Sequence, residues 1–231
     1  MSIYDCDDPD PMMRRAEQRL LSALSTPGLE KIVCEYFEPE SSFAGLTFDF
    51  LGHNPPNEIT PDDLLSATLL DKRWPPLAVR KLLSGQAAAC AELLSRIDSG
   101  TTIWAPQAGQ ELSNADPLWK ELTKLHGVGV TLTSKLLARK RPMLIPITDS
   151  IIRNAIGYPG KTWHTIRYFF EQESIRQAVE SLRPPNAQDV SLLRIFDVAI
   201  WMLCSKSQDA RKARERAGMP QDSCGCRRPE K

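Results

Sequence analysis

The chain has 231 residues, 42% of them hydrophobic and 25% charged, with 29 basic and 29 acidic side chains. That length and apolar content suffice for one sizeable core or two small lobes sharing a cleft. Zero net charge excludes a global attraction to polyanions, yet residues 118–153 hold seven bases against two acids, which leaves room for a local phosphate-binding face.

In chain order, residues 1–15 are acidic and rich in Met and Pro, and read as a frayed N-terminus. A short helix is expected around Arg14–Ser25, followed by an irregular, partly stranded stretch through Phe50. Residues 52–61 read as loop. Thr60-Pro61-Asp62-Asp63 then starts a helix, with Thr at the N-cap, Pro in the first turn and acids beside it. Leu64, Leu65, Thr68 and Leu69 give that helix its expected buried face. Trp74-Pro75-Pro76 breaks the chain, and helical patterns resume at Leu77–Leu83 and Ala87–Ile97.

Asp116-Pro117 is expected to open a helix with Leu118, Trp119, Leu122 and Leu125 on one face. A Gly-x-Gly turn, Gly127-Val128-Gly129, joins it to a second helix from about Thr131 to Arg139. An apolar stretch ends at Asp149, which stands at the N-cap of a helix closed by Gly157. Helices follow near Thr162–Phe170, Ser174–Leu182 and Ser191–Cys204, the last apolar most of the way round and hence buried. From Lys206 onward the chain is polar, carries four excess bases, and reads as a disordered tail to residue 231. The fold class is all-α, about ten short helices in a helical domain over 16–205, with two lobes and the hairpin at 116–140.

Six cysteines occur, Cys34, Cys90 and Cys204 in apolar contexts that suit small buried hydrophobes. Cys224 and Cys226 are too close for a zinc half-site, and no run of four spaced cysteines suits an iron–sulfur cluster. No metal site and no cofactor is expected. With neither a leader pattern nor a membrane-length apolar run, no membrane partner is expected and the expected location is the cytoplasm.

The Gly turn carries the chemistry. Helix-start amides behind a glycine turn lack intrahelical acceptors, and with the helix dipole they form an anion site. Thr131 and Ser134 add hydroxyls there, and Lys135, Arg139 and Lys140 add cations expected to hold neighbouring phosphates. For any one lysine, solvating a helix face is the ordinary role. Asp149 has an equally ordinary role as a cap.

The segment LHGVGVTLTSKLLARKRPMLIPITD, Leu125 to Asp149, resembles the helix-hairpin-helix and catalytic-aspartate segment of the DNA glycosylase superfamily that includes endonuclease III. Asp63 to Leu70 is similar to that family's early core helix. The chain also resembles a bacterial domain family of unassigned function. The first resemblance implies a two-lobed helical fold and a double-stranded DNA partner, with a nucleoid-associated location. Gly127, Gly129 and Thr131 would contact the backbone, and a monovalent cation is implied at the hairpin. It also implies that Asp149 hydrolyses the N-glycosidic bond of a flipped base.

Two positions depart from the family pattern: His126 replaces a proline, and Thr131 replaces the Schiff-base lysine of bifunctional members. Chemistry of the monofunctional, water-using type is therefore implied. A non-catalytic DNA-binding module and a structural or protein-interaction domain are the alternatives. Arg153 is expected to pair with Asp149 at i,i+4. Arg194 and Asp197 are expected to form a structural network with the helix of Asp149. Trp119 reads as core, while Trp74 and Trp163, with His164 beside it, are freer aromatics.

Overall fold

A computed structural model describes residues 10–70, 72–157 and 160–220. These form thirteen α-helices, and no strand occurs among the described residues. α1 (Pro11–Leu24) and α2 (Leu29–Phe37) are followed by the single turn α3 (Thr47–Phe50). α4 (Pro61–Thr68) and α5 (Pro76–Arg80) come next, the latter running into a π-turn at Lys81–Gly85. α6 (Ala87–Ser95), α7 (Ala108–Thr123), α8 (Val130–Lys140) and α9 (Ser150–Ile156) follow. α10 (Thr162–Glu171), α11 (Glu173–Glu180), α12 (Leu192–Cys204) and α13 (Gln208–Arg216) complete the chain.

Two main hydrophobic clusters divide these helices. One gathers α1, α2 and α9 to α13 around the nearly all-apolar α12, with Ile195, Ala199 and Ile200 in its middle. The other gathers α4 to α8 around Leu118, Leu122, Leu136 and Leu137. A smaller cluster of Phe48, Ala138 and Ile147 lies apart from both.

Several expectations are corrected. The stretch after residue 25 is helical, because Leu29, Ile32, Val33, Tyr36 and Phe37 recur at helical spacing and all are buried. α1 starts at Pro11 under an Asp10 cap, so residues 11–15 are ordered helix. α7 begins at Ala108 and carries Pro117 inside it. Its continuous buried row of Ala108, Leu112, Ala115, Leu118 and Leu122 outweighs the one hydrogen bond proline cannot donate. The segment after Lys206 is not all tail: Ser207 caps α13, which buries Ala210, Ala213 and Arg214. Residues 1–9 and 221–231, including Cys224 and Cys226, lie outside the described residues. Cys34 and Cys90 are free thiols, whereas Cys204 is disulfide-bonded rather than a plain buried hydrophobe.

The buried face of α4 is also shifted: Leu64 is buried as expected and Thr68 is half-buried, but the rest of the expected face is not. Leu65 and Leu69 are 53% and 41% exposed, while Asp63 and Ser66 are sealed. The reason lies in α8, which brings two cations onto Asp63.

Candidate functional site

The hairpin joins α7 to α8 through Leu125–Gly129. Val128 is buried and its N–H bonds the Leu125 carbonyl at 2.9 Å, which closes the turn. Gly127 has φ of +78°, and a Cβ there would stand 2.7 Å from Pro75 Cγ, so both backbone conformation and space demand glycine. Gly129 differs. Its φ of −100° suits any residue, and a Cβ would meet nothing within 4 Å. Nothing among the described residues requires glycine at 129, and as N-cap of α8 it supplies no side chain to the amides behind it. His126, Gly127, Gly129 and Val130 are exposed and Thr131 is half-buried.

The four remaining hairpin candidates are turned inward. Ser134, Lys135, Arg139 and Lys140 are 0%, 5%, 3% and 3% exposed. The expectation that they reach backbone phosphates is corrected by what they hold. Arg139 Nε binds Asp63 at 2.9 Å, and its other nitrogens donate to the carbonyls of Phe48 and Leu51. Lys140 pairs with the same carboxylate and donates to Asn54 Oδ1 at 2.7 Å and to the Pro55 carbonyl. Two buried cations on one buried acid form a structural triad. Arg141, 1% exposed, is satisfied by carbonyls, including those of Ile97 at 2.9 Å and Pro56 at 2.6 Å. The C-terminal end of α8 is therefore fixed by three basic side chains whose charge also suits the dipole there.

Ser134 has a positioning role. Its hydroxyl donates to the Thr148 carbonyl at 3.2 Å and accepts from the Thr148 N–H at 3.0 Å. This double bond ties the residue before Asp149 to the second turn of α8. Asp149 then caps α9, its Oδ1 accepting from Ile152 N–H at 2.8 Å. The carboxylate is half-buried, and a capping acid retains a second oxygen for other partners. Arg153 is exposed and its Nε donates to the Asp149 main-chain oxygen at 3.3 Å.

Lys135 donates to the Leu70 carbonyl. Burial pulls its ammonium down to about 8, against the opposing pull of the Asp197 and Asp149 charges. Lys72 pushes in the same direction as burial, which brings the loop after α4 into the neighbourhood of Lys135. Lys72 and Arg73 of that loop are exposed, and Pro75 behind them rests on Gly127. They add solvated charge near the turn, as does the exposed Lys124 that precedes Leu125, and no local pattern in the sequence marks Lys72 and Arg73.

Arg194 and Asp197 pair with each other, but their further partners lie elsewhere than expected. Arg194 Nη2 donates to Tyr36 Oη at 2.7 Å, its Nε faces Asp49 at 3.5 Å, and its guanidinium lies 4.7 Å from the Phe48 ring centre. By hydrogen bond and ion pair the network joins α12 to α2 and α3, while the Asp149 charge at the start of α9 acts on Asp197 without a bond. Burial raises the Asp197 carboxyl to about 6, opposed by Arg194. Trp119 and Trp163 pack edge to face at 4.8 Å against the second cluster, so Trp163 is not free, and Trp74 is 8% exposed. Among the described residues no group of three His, Cys, Asp or Glu side chains converges as a metal site. No helix there is long and apolar enough to cross a membrane.

Comparison with known proteins gives one family. No curated protein and no solved structure matches the chain. The profile of a family of unknown function, DUF6308, matches residues 30–204, a span that takes in α2 to α12 with the hairpin, the Ser134 tie and Asp149. The chain belongs to the DUF6308 family.

Proposed function

We propose that the chain binds double-stranded DNA by its sugar–phosphate backbone through the hairpin at Leu125–Thr131, in a helix-hairpin-helix arrangement of the glycosylase type. The observation that carries this reading is Gly129. A residue with no steric or conformational need to be glycine leaves bare main-chain amides at an exposed helix start, the surface on which a phosphate closes. With Lys135, Arg139 and Lys140 inside the protein, amides and dipole supply the grip, and Lys72 and Arg73 supply the solvated charge.

The test is binding to a fluorescent 20-base-pair duplex across a salt series. Affinity falls linearly in log–log form as salt rises. Gly129→Ala weakens binding about tenfold without unfolding the protein. Affinity that is indifferent to salt and unchanged by Gly129→Ala refutes the reading.

A second reading is favoured by the Ser134–Thr148 tie, which holds Asp149 in fixed register with the hairpin. We propose that Asp149 acts on the gripped strand as a base-excision carboxylate. It would accept the proton of a water that attacks C1′ while the N-glycosidic bond to a flipped base breaks, and would stabilise the positive charge developing on the sugar. Asparagine caps as well as aspartate, so Asp149→Asn preserves the fold. Release of free base from a panel of damaged duplexes by wild type, and its loss in Asp149→Asn, supports this step. No release from any duplex while binding persists leaves the non-catalytic DNA-binding module.

A further inference from the structure

At the opposite end of α8 from the hairpin lies an open cleft of about 720 Å³, within the size range of small-molecule sites. It is walled by Phe50 after Asp49, Trp104 from the loop before α7, Met143 after α8, and Leu192 after Asp189 at the start of α12. Neither Asp149 nor the hairpin glycines line it.

Three features define what it would accept. The first is Phe50, 54% exposed, an aromatic face offered to the cleft at the cost of hydrating it. Trp104, stacked on Phe170 at 6.1 Å and with the Arg176 guanidinium 5.8 Å from its ring centre, gives a second, rigid aromatic wall.

The second is that both arginines of the lining are already consumed. Arg139 is held by Asp63 and two carbonyls. Arg183 is paired with Glu180 and donates to the carbonyls of Ala187, Gln188 and Val190. Neither is free to receive an anion.

The third is that the acids are less well served. Asp189 is exposed and engaged by no hydrogen bond or ion pair among the described residues. Asp49 is 11% exposed, and its Oδ2 is sealed without a hydrogen bond, facing an Arg194 Nε that also lacks one. Asp49 is therefore closed to a visitor and neutralised by Arg194, and the cleft offers one solvated, unpaired carboxylate, Asp189, beside an aromatic face. That combination selects a donor-rich cation with a flat apolar body, through charge-assisted hydrogen bonds and cation–π contact.

We infer that this cleft is a binding site for a small organic cation, an amidinium, guanidinium or ammonium group on a planar apolar frame. It is independent of the DNA-binding reading, since none of Leu125–Thr131 lines it.

Benzamidine serves as the probe, with benzamide as its neutral isostere and benzoate as its anionic one, measured by calorimetry and by amide chemical-shift changes on the full chain. Benzamidine is expected to bind one saturable site whose shifts map to Phe50, Trp104 and Asp189. Benzamide is expected to bind at least about tenfold more weakly, and benzoate not to saturate. Asp189→Asn and Phe50→Ser, both at exposed positions, are each expected to weaken benzamidine about tenfold while the urea midpoint stays in place. Absence of saturable benzamidine binding overturns the inference. So does benzoate binding as tightly, or wild-type benzamidine affinity in both variants.

Discussion

Replacing Asp63 with alanine tests whether the basic helix is truly built inward. Asp63 is fully sealed and faces two cations whose side chains are 1% and 0% exposed. Breaking a buried ion pair costs about 3–5 kcal/mol, because an uncompensated charge stays in a poorly polarisable interior. Arg139 retains the Phe48 and Leu51 carbonyls, and Lys140 retains Asn54 and Pro55, which places the loss near the low end. Asp63 also closes the capping box with Thr60, accepting the Thr60 N–H at 2.8 Å, and loss of such a cap adds about 1 kcal/mol. Asp63→Ala is therefore expected to cost about 4 kcal/mol, a large share of the roughly 5–15 kcal/mol that stabilises a folded domain. Equilibrium urea unfolding followed by far-ultraviolet circular dichroism measures it. The triple change of Asp63→Leu with Arg139→Met and Lys140→Met should recover most of the loss, since apolar packing can replace a buried triad. A cost below about 1 kcal/mol for Asp63→Ala would mean that the cations find solvent, and that the inward reading of α8 is wrong.

Lys135 gives a pH-dependent expectation. Its folded value of about 8 lies below its ordinary 10.5, so between those limits the unfolded chain binds more protons and stability must rise with pH. The gain approaches about 3 kcal/mol as an upper bound, and Lys135→Met should raise stability at pH 7 and flatten the rise, as thermal melts between pH 7 and 10.5 would report. Gly127→Ala should lose about 2 kcal/mol through its positive φ and the Pro75 contact, whereas Gly129→Ala should lose less than about 1 kcal/mol; denaturant midpoints of the two variants make the comparison. On the DNA-binding reading, replacing both Lys72 and Arg73 with alanine should reduce the log–log salt slope by about 2, as titrations at several salt concentrations would show.

Local signals located most helices, and the failures have physical causes. α4, α9 and α12 were legible because each opens on a capping side chain, Thr60, Asp149 and Ser191. α2 carries no such signal, because it opens on Gly28 in the left-handed region with no capping side chain to announce it. α7 is longer than its local signals suggest because Asp116-Pro117 mimics a helix start, although the buried row runs straight through it. The glycine turn and the acid beyond it were readable as local pattern. The orientation of Lys135, Arg139 and Lys140 was not. It is decided by Asp63, 76 positions earlier in the chain than Arg139, and by carbonyls of the α3–α4 connection, and neither periodicity nor charge density records a partner so distant. The same pairing turns the buried face of α4 toward Asp63 and Ser66, keeping Leu64 inside but leaving Leu65 and Leu69 in solvent.

The anchoring of α8 has a mechanical consequence. Its C-terminal end is riveted through Asp63 and main-chain carbonyls, and its second turn is latched to Thr148, so the helix behaves as a stiff rod about 16 Å long. The hairpin sits on one end of that rod and the wall of the open cleft on the other. Neither end can yield to a visiting molecule by sliding the helix without first separating buried charges. A partner meeting the hairpin must adapt its own shape to a helix held at both its second turn and its C-terminal end.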